Sequence, residues 1–234
     1  MQLVLPVHQQ NEFTFENFIV GENDEAVKHI KLLPDATPER GLSNCLTLIQ
    51  GATGTGKTHV LLAVNQLAQS RQLTHQYLDM KVLIKMPTEI LNNFENFDVL
   101  CIDNVDAVAG DPQWQVQIFD IINQFLEADG RALLMSSSLR PQSSGFTLPD
   151  LVSRLIWGTV FSLKELSETD KIKAIQSHME ARGLKVQHDA VAYLMKRTAR
   201  DMHMLMHIVE QLDKLSLQNQ RKLTIPFIKD ALKL

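Results

Sequence analysis

Cysteine is scarce in this chain: two occur among 234 residues, Cys45 and Cys101. Both fall in apolar segments patterned as buried strands, so they read as small core residues of a reducing compartment and not as a disulfide. No apolar run approaches the ~20 residues that a membrane-spanning helix needs. The first residues also lack the basic start and long apolar core of a signal peptide, and the expectation is a cytoplasmic protein. Positive charge is not in excess either. The formal net charge is -4, which excludes a whole-surface nucleic-acid footprint and leaves only local patches open. There is no internal repeat and no low-complexity segment. What is present is a 44% hydrophobic content, enough for one sizeable core or for a main domain with a small satellite.

Three of the 10 glycines fall within one short stretch, Gly51-Ala52-Thr53-Gly54-Thr55-Gly56-Lys57-Thr58. A strand-forming run, Cys45 to Ile49, leads into it, and a helical pattern carried by Val60, Leu61, Val64, Leu67 and Ala68 leaves it. That is the context in which G-x-x-x-x-G-K-[ST] is a phosphate-binding loop and not an incidental glycine-rich turn. The glycines let successive backbone N–H groups face one anion, and the following helix adds the positive end of its dipole. Lys57 is expected to reach the terminal phosphates, and Thr58 to offer its hydroxyl to Mg²⁺.

A second apolar run, Val99 to Ile102, ends in Asp103-Asn104. Asp103 is placed to hold Mg²⁺ through water. Hydrolysis also needs a group that polarises the attacking water, and Asn104 has no basic oxygen for it. The expectation is weak or absent intrinsic turnover, unless Glu127, Asp106 or a partner supplies the acid.

Along the chain, residues 1–10 read as an accessible tail, 11–165 as a P-loop nucleotide-binding domain and 166–234 as a small all-helical lid domain. The middle part alternates helical segments with strands near 46–50, 74–79, 98–103, 132–136 and 159–163, which predicts a five-stranded parallel sheet covered on both faces. Residues 141–147 are the best candidate for a mobile loop. Ser167-Glu168-Thr169-Asp170 is a helix-capping pattern, with Ile172, Ile175 and Met179 following on one face. Three more helical patterns run over 190–197, 202–215 and 225–232. His203 and His207 have the spacing of a zinc pair, but Met204 stands where a metalloprotease needs its glutamate, and the stripe Met202, Leu205, Met206, Val209, Leu212 reads as lid core.

The segments Thr14 to Asn23, the glycine loop, Ile102 to Gly110 and Ser153-Arg154-Leu155-Ile156-Trp157-Gly158 together resemble the AAA+ ATPase domain of the replication initiator DnaA, over nearly all of 13–234. Initiators of that family continue into a helix-turn-helix DNA-binding domain, whereas this sequence stops at Leu234. The N-terminal Gln2-Leu3-Val4-Leu5-Pro6 is similar to the short peptides that dock on the DNA polymerase sliding clamp. An extended peptide of this kind offers a glutamine amide for hydrogen bonds and alternate leucines for an apolar cleft. The combination resembles the regulatory DnaA paralogues that inactivate the initiator.

That resemblance implies partner binding through Gln2, Leu3, Leu5 and Pro6 to the clamp, with DNA met mostly through it, and DnaA as the second partner. It makes Arg154 an arginine finger acting in trans on DnaA-bound ATP, the alternative being a helical pair with Asp150. Phe18, Val20, Gly21 and Asn23 are implied near the base, with ADP or another nucleoside di- or triphosphate and Mg²⁺ as cofactors. Two positions depart from the family pattern. Ser138 stands where an aspartate is usual, and His203 replaces the lid arginine aimed at the terminal phosphates, so a diphosphate preference is expected. The protein would then be a regulatory activator of another chain's ATPase and not itself an enzyme. A homodimer or higher homo-oligomer is also compatible with the resemblance. The rival readings are a self-sufficient AAA+ ATPase that remodels or recruits replication proteins at DNA, and a binding module with no nucleotide switch.

Overall fold

The structure is a computed structural model and describes residues 13–35, 46–128, 130–181, 186, 188–197, 202–219 and 224–232. The tail residues Gln2, Leu3, Leu5 and Pro6, and Cys45, lie outside the described residues, as does the side chain of His203. In chain order the elements are α1 (Asp24–Leu32), β1 (Leu46–Gln50), α2 (Lys57–Ser70), β2 (His75–Asp79), a single turn α3 (Met80–Leu83), β3 (Val99–Asp103), α4 (Pro112–Glu127), β4 (Ala132–Ser137), α5 (Pro149–Trp157), β5 (Thr159–Ser162), α6 (Glu168–Ala181), α7 (His188–Arg197), α8 (Met202–Asn219) and α9 (Ile225–Leu232).

The five strands form one parallel sheet in the order β2-β3-β4-β1-β5. Every residue of β3 and β4 is buried, as strands covered on both faces must be. The pleat divides them by face. Leu46, Leu48, Leu100, Ile102, Leu133 and Met135 join a core with Trp114, Ile118, Ile122 and Phe125 of α4 and Leu151 and Leu155 of α5. The α2 side chains Val60, Leu61, Val64 and Ala68 are buried as well, and this helix packs against β2, β3 and β4. Cys101 is a buried free thiol, its pKa pushed up by burial and by Asp103, which makes it an inert core side chain.

Local sequence sets the ends of α4 and α5. Asp111 caps α4, its carboxylate accepting from the backbone N–H of Gln113 at 2.9 Å and Trp114 at 3.3 Å, with Pro112 opening the helix as capping rules favour. Gly158 follows α5, and the position requires glycine because an added Cβ there would lie 2.7 Å from the Leu46 carbonyl oxygen. Residues 141–147, the candidate mobile loop, carry local structure at both ends. They open with a 3-10 turn, Pro141–Ser143, in which Pro141 is buried, and their far end is tied to Gln115. The fully buried Gln115 amide accepts from the backbone N–H of Thr147 at 2.8 Å and Leu148 at 3.0 Å and donates to the Ala109 carbonyl at 2.8 Å. Gln115→Leu removes these partners at nearly constant volume. It is expected to cost roughly 2–3 kcal/mol of stability, measured by urea unfolding.

By internal contacts the chain divides into two compact units, one made mainly of Asn23–Ala52 and Gly56–Lys164 and the other of Glu16–Glu22, Thr53–Thr55 and Glu165–Leu234. In the second unit, Ser167 caps α6, accepting from the Asp170 backbone N–H at 3.2 Å while its hydroxyl donates to the Asp170 carboxylate at 2.7 Å. Ile175, Met179, Val191, Leu194, Leu205, Val209, Leu212, Phe227 and Ile228 form its core. The α8 stripe is thus packing, with Met202 and Met206 at its margin. His207 makes a 3.1 Å contact with Gln211, and among the described residues no group of three or more His, Cys, Asp or Glu side chains is arranged to hold a metal ion. No described helix is long and apolar enough to cross a membrane.

Candidate nucleotide site

The glycine loop leaves β1 at the carboxyl edge of the sheet, where Gly51 N–H donates to the Ser137 carbonyl of β4 at 3.3 Å. Gly54 and Gly56 have φ values of 85° and 90°, a region that side chains resist. Gly56 caps α2 in this left-handed conformation, and its carbonyl accepts from Val60 N–H at 3.0 Å. The buried Lys57 bends back over the loop, donating to the carbonyls of Gly51 at 2.6 Å and Ala52 at 2.9 Å. Burial pushes its pKa down, while the charges of Asp103 and Asp106 act in the opposite sense.

Thr58 and Asp103, the two groups expected at Mg²⁺, meet directly: the Thr58 hydroxyl donates to Asp103 Oδ2 at 2.6 Å. The other Asp103 partners were not foreseen. Tyr77 OH donates to the same oxygen at 2.8 Å. Oδ1 accepts from the Ser136 hydroxyl and, at 3.1 Å, from the Asn104 backbone N–H. Burial and the neighbouring Asp103 drive the Tyr77 pKa well above its ordinary value, so it stays a donor. With four donors, a carboxylate that has about four lone-pair sites is saturated. Tyr77 and Ser136 sit on the neighbouring strands β2 and β4, and only the sheet register brings them to Asp103.

Asn104 occupies a left-handed backbone conformation, φ 57°, which asparagine tolerates better than most residues. Its side-chain amide donates to Asp79 Oδ1 at 3.0 Å, Asp79 being paired with Asp103 in the parallel register of β2 and β3. A 3-10 turn, Val105–Val108, follows. Within it Asp106 Oδ2 accepts from the backbone N–H of Ser138 at 3.2 Å.

The residues implied near the base have varied surroundings. Phe18 is buried and Val20 half-buried. Gly21 has a φ of +54°, and a Cβ there would lie 2.9 Å from Leu166 Cδ2, so this position requires glycine. Both ends of the Asn23 amide engage one peptide group, Nδ2 donating to the Lys164 carbonyl at 3.1 Å and Oδ1 accepting from its N–H at 2.7 Å. His203 lies on α8. Arg154 lies on α5, half-buried, its guanidinium carbon 5.8 Å from the centroid of the Trp157 ring. Among the described residues it forms no ion pair, Asp150 included. Trp157 is 58% exposed and Ile156 41%, so the outer face of α5 combines a free cation with apolar surface.

Fold and loop define the class: a P-loop α/β nucleotide-binding domain followed in sequence by a small helical domain. Comparison with known proteins agrees and goes further. Residues 9–162 match the bacterial DnaA ATPase domain family, and residues 168–232 match the family described as the Hda lid domain. A Haemophilus influenzae protein, described only as an uncharacterized protein, is 37% identical over 235 residues, spanning 100% of this chain and 99% of that one. Domain III of the Thermotoga maritima replication initiation protein DnaA has the same fold, with a TM-score of 0.79 at 22% identity, covering 95% of this chain and 96% of that chain. AMPPCP-bound DnaA from Aquifex aeolicus gives a TM-score of 0.66 at 25% identity over 92% of this chain and 67% of that one. The chain belongs to the DnaA-type AAA+ proteins, as an Hda-like paralogue of the initiator and a DnaA-related regulator of replication.

Proposed function

We propose that this chain, carrying a bound nucleotide, docks on the DNA-loaded sliding clamp and stimulates hydrolysis of DnaA-bound ATP in trans, preventing re-initiation. The observation that carries the reading is Arg154: a guanidinium with no ion pair among the described residues, beside exposed Trp157 and Ile156. A permanently charged planar fork suits the phosphates of a neighbouring subunit's nucleotide. Its own site supports holding a nucleotide more than hydrolysing it. Loop, Lys57 and Thr58 fit a nucleoside diphosphate, whereas Asn104 spends its amide on Asp79 and offers no base. The AMPPCP-bound DnaA neighbour supports an adenine base, with Phe18, Val20, Gly21 and Asn23 around it. A hydrated Mg²⁺ fits Thr58 together with Asp103: with the Thr58 hydroxyl turned from Asp103 Oδ2 to the cation, a water of the cation takes its place on the carboxylate.

The clamp contact is assigned to Gln2, Leu3, Leu5 and Pro6. Gln2→Ala or Leu5→Ala is expected to weaken binding to an isolated clamp by at least about tenfold, a loss of about 1.4 kcal/mol, in surface plasmon resonance. Unchanged binding would remove the tail from the proposal. The whole reading is tested by reconstitution of DnaA-ATP, loaded clamp and this chain, where hydrolysis should accelerate only when this chain is present.

A further inference from the structure

Three carboxylates stand where strands β2 and β3 end: Asp79, Asp103 and Asp106. Two of them are well supplied with donors. Asp103 accepts from Thr58, Tyr77, Ser136 and the Asn104 backbone. Asp79 Oδ1 accepts from the Asn104 amide at 3.0 Å and from Lys81 N–H at 3.0 Å. Asp106 is different. Its Oδ2 takes one bond from Ser138 N–H, and its Oδ1 is buried with no hydrogen-bond partner among the described residues.

A carboxylate oxygen removed from water and given no donor is costly, so this one demands a reason. Its location supplies one. The carbonyl of Ser137 accepts from Gly51 at the head of the glycine loop, and the very next N–H, that of Ser138, binds Asp106. Asp106 is thereby fastened to the edge of the phosphate loop, and its charge is felt at Lys57 alongside that of Asp103.

We infer that Asp106 selects a nucleoside diphosphate over a triphosphate, by setting an unneutralised carboxylate beside the region a third phosphate enters. The loop N–H groups and the α2 dipole still serve two phosphates. A third brings further negative charge toward Asp106, and the loop ammonium of Lys57 donates to the Gly51 and Ala52 carbonyls and to neither carboxylate. Like charges at such distances repel appreciably at the effective dielectric of a half-buried site. The inference rests on the diphosphate-bound state proposed above and names the residue that enforces it.

The test is titration calorimetry of ADP and ATP, each with Mg²⁺, on the full chain and on Asp106→Asn. Asparagine keeps an oxygen for Ser138 N–H, removes the charge and puts an amide NH₂ in place of the second oxygen. ATP affinity should rise about tenfold, with ADP affinity changed by less than about twofold. Asp106→Glu should keep the original ratio, and Asp106→Ser, uncharged and smaller, should repeat the asparagine result if that variant folds poorly. An unchanged ATP-to-ADP ratio in the uncharged variants would overturn the inference. So would weaker ATP binding, which would make Asp106 a group that holds the cation or its water. Because the readout is binding by this chain alone, failure here leaves the action of Arg154 on DnaA standing, and failure to accelerate DnaA leaves this result standing.

Discussion

Arg154→Ala is expected to reduce the stimulated hydrolysis of DnaA-bound ATP by on the order of 10³-fold, the scale of an arginine finger supplied in trans. Nucleotide binding by this chain and its clamp contact should be unaffected, because both are assigned to other residues, the first to the glycine loop with Lys57 and Thr58 and the second to Gln2, Leu3, Leu5 and Pro6. The side chain has little else to do. Among the described residues it makes no ion pair, and its recorded partner is the Trp157 ring, 5.8 Å away. A cation over an exposed ring is worth roughly 0.5–1 kcal/mol, so the variant should unfold within a degree or two of the parent. Arg154→Lys should recover only a small part of the activity, since an ammonium keeps the charge and loses the fork. A variant with full stimulation would remove the finger from the account.

Lys57→Ala is expected to lower ADP affinity by about a hundredfold, near 2.7 kcal/mol. In the free chain the Lys57 ammonium holds the carbonyls of Gly51 and Ala52 at 2.6 Å and 2.9 Å. Phosphate binding exchanges those neutral acceptors for charged ones, which is the favourable direction for a buried cation whose pKa burial has lowered. Truncation also frees the two carbonyls to water at the loop surface, so the fold should persist. Calorimetry on the variant reads the effect directly, and an affinity within about threefold of the parent would show that the backbone cradle alone carries the phosphates.

How much was legible in the sequence depended on whether the deciding contacts were local. β3 and β4 are continuous apolar runs buried on both faces, and their limits fall within a residue of those read from the sequence. β2, His75–Asp79, is an edge strand and mostly half-buried, and it was legible chiefly by its place between two helical patterns. The glycine loop could be read because its function is written in eight consecutive residues. Asp103 could be read because it ends an apolar run. Its partners Tyr77 and Ser136 could not, because they arrive from β2 and β4, and no local pattern marks a tyrosine or serine that register will place against a carboxylate.

The same holds for Gln115. It is a polar residue inside an amphipathic helix and resembles a surface position until the loop before α5 is seen wrapped on it. That contact ties the far end of 141–147, read as the best candidate for a mobile loop, to α4. The Asn104 amide is turned to Asp79 of β2, a partner that arrives by strand register and that no local pattern marks. Arg154 carries no mark in composition or spacing, and the role proposed for it rests on resemblance to DnaA; in the described geometry it forms no ion pair with Asp150, the rival partner.

The central claim is that catalysis controlled by this chain happens in another chain's site. Single-turnover hydrolysis of radiolabelled ATP held by DnaA, with clamp loaded on DNA and this chain supplied with ADP, measures it most directly. The account predicts rapid conversion to DnaA-ADP with the parent chain, little with Arg154→Ala, and slow turnover by the parent chain alone. No acceleration with any combination of clamp and nucleotide, or comparable hydrolysis by this chain in the absence of DnaA, would contradict it.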